Sequence, residues 1–186
     1  MKFKLKLLPL FLILMIMISG CSMEKEAAPA LQLDEVDARS FYNIDAELNA
    51  EEKTLTAVQE VNYYNNDDME MKELYFHVYP NAFKTKETAP FLFDDFDNAY
   101  KRGFEPGYGE VTSVTQKDRN GEKLLKHSLS GEGATILKVE LAAPLKPYER
   151  VNLKIEFILQ IPPAGERFGY GENNFNMGNW YPIAAV

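Results

Sequence analysis

Residues 151–161 read VNLKIEFILQI, and no other part of this chain indicates its fold class so clearly. All six odd positions are apolar, and most of the positions between them are polar: Asn152, Lys154, Glu156 and Gln160. A strand with this alternation buries one face and leaves the other in water. The pattern therefore predicts a long, half-buried strand. It should end at Pro162 and Pro163, because proline donates no hydrogen bond to a neighbouring strand.

The same alternation recurs earlier in the chain. Residues 42–48 and 55–63 repeat it on either side of a polar connection, which predicts an antiparallel hairpin. Further strands are predicted at residues 74–79, 110–116, 123–129 and 137–141, the first ending at Pro80 and the last at Pro144 and Pro147. Residues 118–121 contain Asn120-Gly121, which suits the tight turn of a second hairpin.

Seven strand signals at short spacing predict an antiparallel all-β sandwich. The one helical feature is a turn near residues 94–100. Residues 84–109 form a long aromatic stretch marked by glycine and proline, and we interpret it as a surface excursion from a single domain.

Charge and cysteine content exclude two classes of protein. The chain has 186 residues with 20 Lys and Arg against 28 Asp and Glu, a net charge of −8. Three of the lysines lie in the first 20 residues, which hold no acid, so the remainder carries 17 basic against 28 acidic residues, or −11. Such an acidic body disfavours binding to nucleic acid. The single cysteine, Cys21, has no partner in the chain, which excludes a disulfide scaffold.

The N-terminus predicts export and lipid anchoring. Lys2, Lys4 and Lys6 precede an apolar run at residues 7–18, which is the length of a signal-peptide core and too short to span a bilayer. The run ends in Ile-Ser-Gly-Cys, which resembles the bacterial lipobox, in which the cysteine is acylated. The alternative is an ordinary secretory signal with a chance cysteine. Diacylglycerol and an amide-linked acyl chain such as palmitate on Cys21 would anchor the protein firmly, at about 0.8 kcal/mol per buried methylene.

These patterns divide the chain into three parts. Residues 1–20 are predicted to be a lipoprotein signal peptide, residues 21–38 a flexible tether, and residues 39–186 the β-sandwich domain. The expected location is extracytoplasmic, on the bacterial cell membrane. Residues 179–186 read as the entrance to a further strand, so we expect the sandwich to be truncated there.

The body of the chain offers little catalytic chemistry. His77 and His127 lack a second ligand at metal-binding spacing, and neither H-E-x-x-H nor G-x-S-x-G occurs. Asp94, Asp95 and Asp97 lie close together, and we favour a solvated acidic turn over a calcium site, since the glycine and distal glutamate of an EF-hand are missing.

Glycine and aromatic residues crowd the C-terminal part of the chain. The glycines of residues 165–178 are expected to make turns, since the stretch lacks the pattern of a phosphate-binding loop. The aromatic side chains of the last 20 residues would form either a ligand-facing wall or the core of the sandwich and its rim, and we favour the latter.

Several segments together resemble one family. Residues 42–48 and 55–65, then LYFHVYPN at 74–81, RFGY at 167–170 and GNWYP at 178–182 are similar, in order and spacing, to the N-terminal domain of aminopeptidase N-like zinc metallopeptidases of the bacterial lipoprotein type. The resemblance covers residues 40–186. It implies a saddle-like β-sandwich that precedes a thermolysin-like catalytic domain and covers its active-site cleft.

The resemblance also says where the chemistry would lie. In that family the catalytic domain holds zinc through H-E-x-x-H and a downstream Glu, and a G-x-M-E-N-type motif binds the amino end of the peptide. These motifs would follow Val186, so the resemblance assigns no catalytic or metal-binding residue and no cofactor to this chain.

The family's N-terminal domain contributes a polar residue to the substrate pocket, from the loop before W-Y-P. Here that loop contains Asn174, Phe175 and Asn176, with asparagine where glutamine is common, and this departure leaves aminopeptidase and endopeptidase activity both open.

Two functions follow from these expectations. The first is the non-catalytic N-terminal domain of a lipid-anchored zinc metallopeptidase, whose partners are the membrane, the catalytic domain and the peptide substrate. The second is a stand-alone extracytoplasmic binding or structural lipoprotein that kept the sandwich domain and lost the protease.

Overall fold

The structure is a computed structural model that describes residues 38–91, 95–119 and 121–185. The described residues form these strands: β1 Phe41–Asn49, β2 Thr54–Tyr64, β3 Met71–His77, β4 Tyr108–Asp118, β5 Gly121–Leu124, β6 His127–Ser130, β7 Ile136–Leu145, β8 Arg150–Gln160, β9 Phe168–Tyr170, β10 Phe175–Met177 and β11 Ile183–Ala184. The described residues also form a four-residue helix, α1 (Phe96–Ala99), and 3₁₀ helices at Tyr79–Lys84 and Glu132–Ala134.

The strands form three antiparallel sheets. The larger sheet has the order β1-β2-β8-β4-β5, and the smaller has the order β11-β3-β7-β6. Strands β9 and β10 pair only with each other within the described part of the chain. Strand β8 lies at the centre of the larger sheet, between β2 and β4. The prediction of an all-β, sandwich-like fold is therefore confirmed.

The core lies between the two main sheets. Their inward side chains form one buried cluster, which joins Leu55 and Ile155 of the larger sheet to Phe76 and Leu137 of the smaller. The odd positions of β8 supply much of it, because residues 151, 153, 155, 157 and 159 are all buried. The apolar positions of the alternating sequence thus face the core and the positions between them face outward, as expected for a sheet with one solvated face.

The predicted strand at residues 123–129 is wrong, because the chain changes sheets within it. Strand β5 pairs with β4 in the larger sheet, whereas β6 pairs with β7 in the smaller. Leu125 marks the crossing: it is buried, and its amide donates to Val114 O at 2.8 Å. The next residue, Lys126, accepts a hydrogen bond from the amide of Glu140 at 2.9 Å. The crossing is therefore hydrogen-bonded to both sheets, through Val114 of β4 and Glu140 of β7.

Two strand ends also differ from expectation. Strand β3 ends at His77, two residues before the predicted end at residue 79, and a 3₁₀ helix begins at Tyr79. Strand β7 continues through Pro144 to Leu145. The proline is tolerated because the pairing of β3 with β7 shifts its register between Met71 and Glu73, so residues 141–144 have no regular partner on β3.

Residues 84–109 are not simply a surface excursion. Ala89, Ala99 and Tyr100 are buried and belong to the core cluster. The Asp95 side chain caps α1 by accepting a hydrogen bond from the Asn98 amide at 2.9 Å, which is the usual role of aspartate before a helix. The segment therefore closes one side of the core.

Tyr100 should ionise at an unusually high pH. Its hydroxyl donates to Pro90 O at 3.2 Å, and burial together with the charge of Glu166 raises the pKa of Tyr100 to about 12. An unfolded tyrosine has a pKa near 10, so the stability that Tyr100 contributes is complete below about pH 10 and is lost as the pH rises through about 12. We expect absorbance titration at 295 nm to show a tyrosine ionising near pH 12 that is absent from Tyr100→Phe. Loss of a component near pH 10 instead would contradict this environment.

Candidate functional site

The hairpin formed by β9 and β10 carries the predicted pocket residues. Tyr170 pairs with Phe175 and Gly169 with Asn176, and the Gly171 amide donates to Asn174 O at 2.8 Å to close the turn. The sequence predicted only turns from these glycines, and that was wrong for Gly169, which lies within β9. Strands of three residues are too short for alternation to show, so the pattern carried no signal of this hairpin.

The two asparagines of the hairpin have different roles. Asn176 Nδ2 donates to Glu166 O at 2.8 Å, and Asn176 Oδ1 accepts from Asn174 Nδ2 at 2.9 Å. Asn176 is therefore engaged within the protein and orients its neighbour. Asn174 is exposed, and its Oδ1 accepts no hydrogen bond from the described residues. Of the predicted pocket residues, Asn174 is the one with a polar atom available to a ligand.

Phe175 belongs to a cluster of aromatic rings and cations. Its ring centroid lies 6.2 Å from that of Tyr170, and Lys53 Nζ lies 5.4 Å and 5.1 Å from the two centroids. Arg102 Cζ lies 5.5 Å from the Tyr170 ring. A cation held over an exposed ring contributes about 0.5–1 kcal/mol. The cluster therefore attaches the hairpin to the turn between β1 and β2, which carries Lys53.

The segment that follows the hairpin crosses the inner face of the larger sheet. Trp180 lies over Phe157 with centroids 6.1 Å apart, and Tyr181 meets Tyr42 edge-on at 5.8 Å. Gln59 fixes the segment, since its buried Nε2 donates to Pro182 O at 2.8 Å. Sequence reasoning missed Gln59, although a glutamine at an inward position of an otherwise apolar strand is an identifiable signal.

The hairpin and this segment together present a half-exposed apolar surface. Its members pack against the core on one side and reach solvent on the other: Phe175, Met177, Trp180 and Tyr181. We call these four residues the aromatic surface. Of the C-terminal aromatic residues, Phe168 is buried in the core, and the rest are partly buried at its rim: Tyr170, Phe175, Trp180 and Tyr181. These are the places that the core-and-rim interpretation gives them.

A cavity of about 330 Å³ lies beside the hairpin. Four rings line part of it: Tyr79, Phe83, Phe91 and Phe168. Glu166 and Arg167 add one charge of each sign. The cavity is thus mainly aromatic and adjoins the loop that accepts the hydrogen bond from Asn176.

The histidines and aspartates that the sequence analysis weighed and disfavoured as metal ligands have other contacts in the structure. His77 stacks on Tyr79 with centroids 5.0 Å apart, and Asp95 caps α1, as described above. In the described residues no group of three His, Cys, Asp or Glu side chains is placed to hold a metal ion. Asp94 lies outside the described residues.

The N-terminal predictions also fall outside the described residues. These are the signal peptide, Cys21 and nearly all of the tether. Across residues 38–91, 95–119 and 121–185, the structure contains no helix with the length and apolar character needed to cross a membrane.

No protein-family model and no curated protein matches this chain. The family resemblance stated from the sequence therefore remains a prediction.

Proposed function

We propose that this chain is the non-catalytic N-terminal domain of a lipid-anchored zinc metallopeptidase of the aminopeptidase N-like type. Its role would be to dock on the catalytic domain and to shape the peptide-binding pocket. The observation that carries the proposal is the β9–β10 hairpin, which presents Asn174 beside the aromatic surface with an Oδ1 that accepts no hydrogen bond from the described residues.

The aromatic surface supports the docking role. Trp180 and Tyr181 are large, half-exposed rings in contact with the core, and such residues are enriched where proteins bind one another. In the proposal the catalytic domain covers these rings and places its cleft next to the hairpin. The domain would then contribute to substrate binding through direct contact between a hairpin residue and the peptide in the cleft.

Asn174 supports the pocket-shaping role. Its carboxamide is oriented by the hydrogen bond from its own Nδ2 to Asn176, which is itself held by Glu166 O. The remaining oxygen can accept a hydrogen bond from a peptide N–H or from a polar side chain. Asn174 would therefore position substrate, whereas Asn176 would position Asn174.

The described residues do not fit a zinc site, so no chemical step is assigned to them. In the proposed parent enzyme, zinc bound by the catalytic domain would supply Lewis-acid chemistry at the scissile carbonyl and at a water molecule. The contribution of this chain would be limited to binding and orienting the peptide. Acylation of Cys21 would hold the enzyme at the outer side of the bacterial membrane.

The proposal is tested on the native product. We expect an antibody against residues 38–185 to capture, from detergent-solubilised membranes, an activity that hydrolyses aminoacyl anilides. It should be lost with 1,10-phenanthroline and return with zinc, because the metal is required. Captured product with no such activity against aminoacyl or internal peptide substrates would contradict the proposal.

Variants then separate binding from folding. Asn174→Ala in the native protein should change kcat/KM by about tenfold, and unequally among substrates with different first side chains, as loss of one substrate hydrogen bond does. Asn43→Ala is the matched control, since Asn43 is exposed on β1. Equal effects of both variants would contradict the assigned role of Asn174.

A further inference from the structure

Strand β1 forms an edge of the larger sheet. Its nine residues pair with β2 in continuous register, from Asn49 opposite Thr54 to Phe41 opposite Asn62. The strand contains neither proline nor a bulge, two of the features that blunt a sheet edge. Among the described residues only β2 pairs with it. Its other side therefore presents backbone groups able to pair with a further strand.

One end of the inner face of β1 is left uncovered. Tyr42 and Ile44 are half-buried, but Ala46 and Leu48, the next two residues on that face, are exposed, Leu48 at 43%. Their cross-strand partners on β2, Ala57 and Leu55, are both buried. The inner face of β1 is therefore covered by the core at Tyr42 and Ile44 and uncovered at Ala46 and Leu48. Apolar side chains on an added strand would pack against Ala46 and Leu48.

The outer face of β1 carries two acidic residues. Asp45 and Glu47 form no ion pair with a described residue. Other acids of the same sheet are paired with lysine: Glu60 with Lys117 at 4.0 Å, Glu122 with Lys154 at 2.7 Å and Glu156 with Lys154 at 3.6 Å. The edge strand therefore holds uncompensated negative charge on the face opposite its uncovered apolar residues.

We propose that the open edge of β1 is a strand-addition site for an extended segment of another protein, in which basic residues alternate with apolar ones. Strand addition supplies main-chain hydrogen bonds, while alternate side chains give specificity. The apolar positions would cover Ala46 and Leu48, and the basic positions would lie beside Asp45 and Glu47 at the spacing of cross-strand pairs. This proposal does not depend on the proposed function.

Charge disfavours two other possible occupants of the β1 edge: a second copy of the chain, and residues 31–37 of the same chain. A second copy paired through β1 would bring its own Asp45 and Glu47 to the same face, and like charges on neighbouring strands destabilise the pairing. Residues 31–37 of this chain carry three acids and no base. A partner rich in lysine or arginine on one face fits the edge better than either.

The test uses residues 22–186, which leave out the predicted signal peptide and Cys21. The probe is a synthetic nine-residue peptide that alternates lysine and valine. We expect the probe to slow hydrogen exchange of the β1 amides that point away from β2, at the free edge of the sheet. Asp45→Lys combined with Glu47→Lys should weaken binding about tenfold or more. Glu110→Lys is the control, because Glu110 lies in the cross-strand row of Glu47, three strands away, or about 14 Å.

Three results would overturn the proposal. One is equal binding of a probe whose central valine is replaced by proline, since proline blocks ladder formation and any remaining affinity would be charge attraction alone. Another is a dimer of the chain whose interface protects β1, because the occupant would then be a second copy. The third is an absence of binding at millimolar probe in low salt.

Discussion

Replacing Phe157 by alanine is expected to lower the free energy of unfolding by about 3–5 kcal/mol, the range for removing a buried aromatic side chain. Phe157 is 2% exposed, lies on the central strand β8 and contacts Trp180. The loss is a large part of the 5–15 kcal/mol that stabilises a typical domain. Urea unfolding followed by the fluorescence of Trp180, the one tryptophan of the chain, measures it.

The control for this variant is the neighbouring residue. Ile158 points to the outer face of β8 and is 41% exposed, so Ile158→Ala should cost less than about 1 kcal/mol. If Phe157→Ala does not fold, Phe157→Leu retains most of the apolar volume and should lose about 1.5 kcal/mol or less. Equal losses at positions 157 and 158 would contradict the assignment of inner and outer faces.

Replacing Gly169 by alanine is expected to cost about 2 kcal/mol and to displace the β9–β10 hairpin. A Cβ atom at Gly169 would lie 2.2 Å from Ala164 O, and the obstacle is backbone that cannot rotate away. Overpacking of this kind costs about 1–3 kcal/mol. Since Gly169 pairs with Asn176, we also expect NMR shifts of the Asn174 and Asn176 side-chain amides to change.

Gly165→Ala is the matched control for the hairpin. A Cβ atom there would lie 3.5 Å from Ala99 O, which is ordinary contact, so the free energy of unfolding should change by less than about 0.5 kcal/mol. A loss at Gly165 as large as that at Gly169 would mean that the effect comes from loop entropy and not from the close approach to Ala164.

Alternation predicted the parts of the fold that depend on one half-buried face. Strand β8 and the β1–β2 hairpin follow directly from it, because each places its apolar residues toward the same core. It could not predict the crossing at Leu125. An apolar residue in a transition between sheets looks like one in a strand, since both are buried and both donate a backbone hydrogen bond.

The site was predicted less completely than the fold. The resemblance placed Asn174, Phe175 and Asn176 in one loop, but it did not distinguish the exposed Asn174 from the internally bonded Asn176. That distinction depends on Glu166, which precedes β9 and whose carbonyl accepts a hydrogen bond from Asn176 of β10. Contacts between short, irregular segments leave no periodic trace in a sequence.

The measurement that tests the central claim most directly is the mass of the native product in cell extracts, detected with an antibody against residues 38–185. The proposed metallopeptidase predicts a band several times larger than the 21.2 kDa of this chain, because the catalytic domain is part of the same polypeptide. A lipid-modified band near or slightly below 21.2 kDa would contradict that claim and would favour the stand-alone lipoprotein.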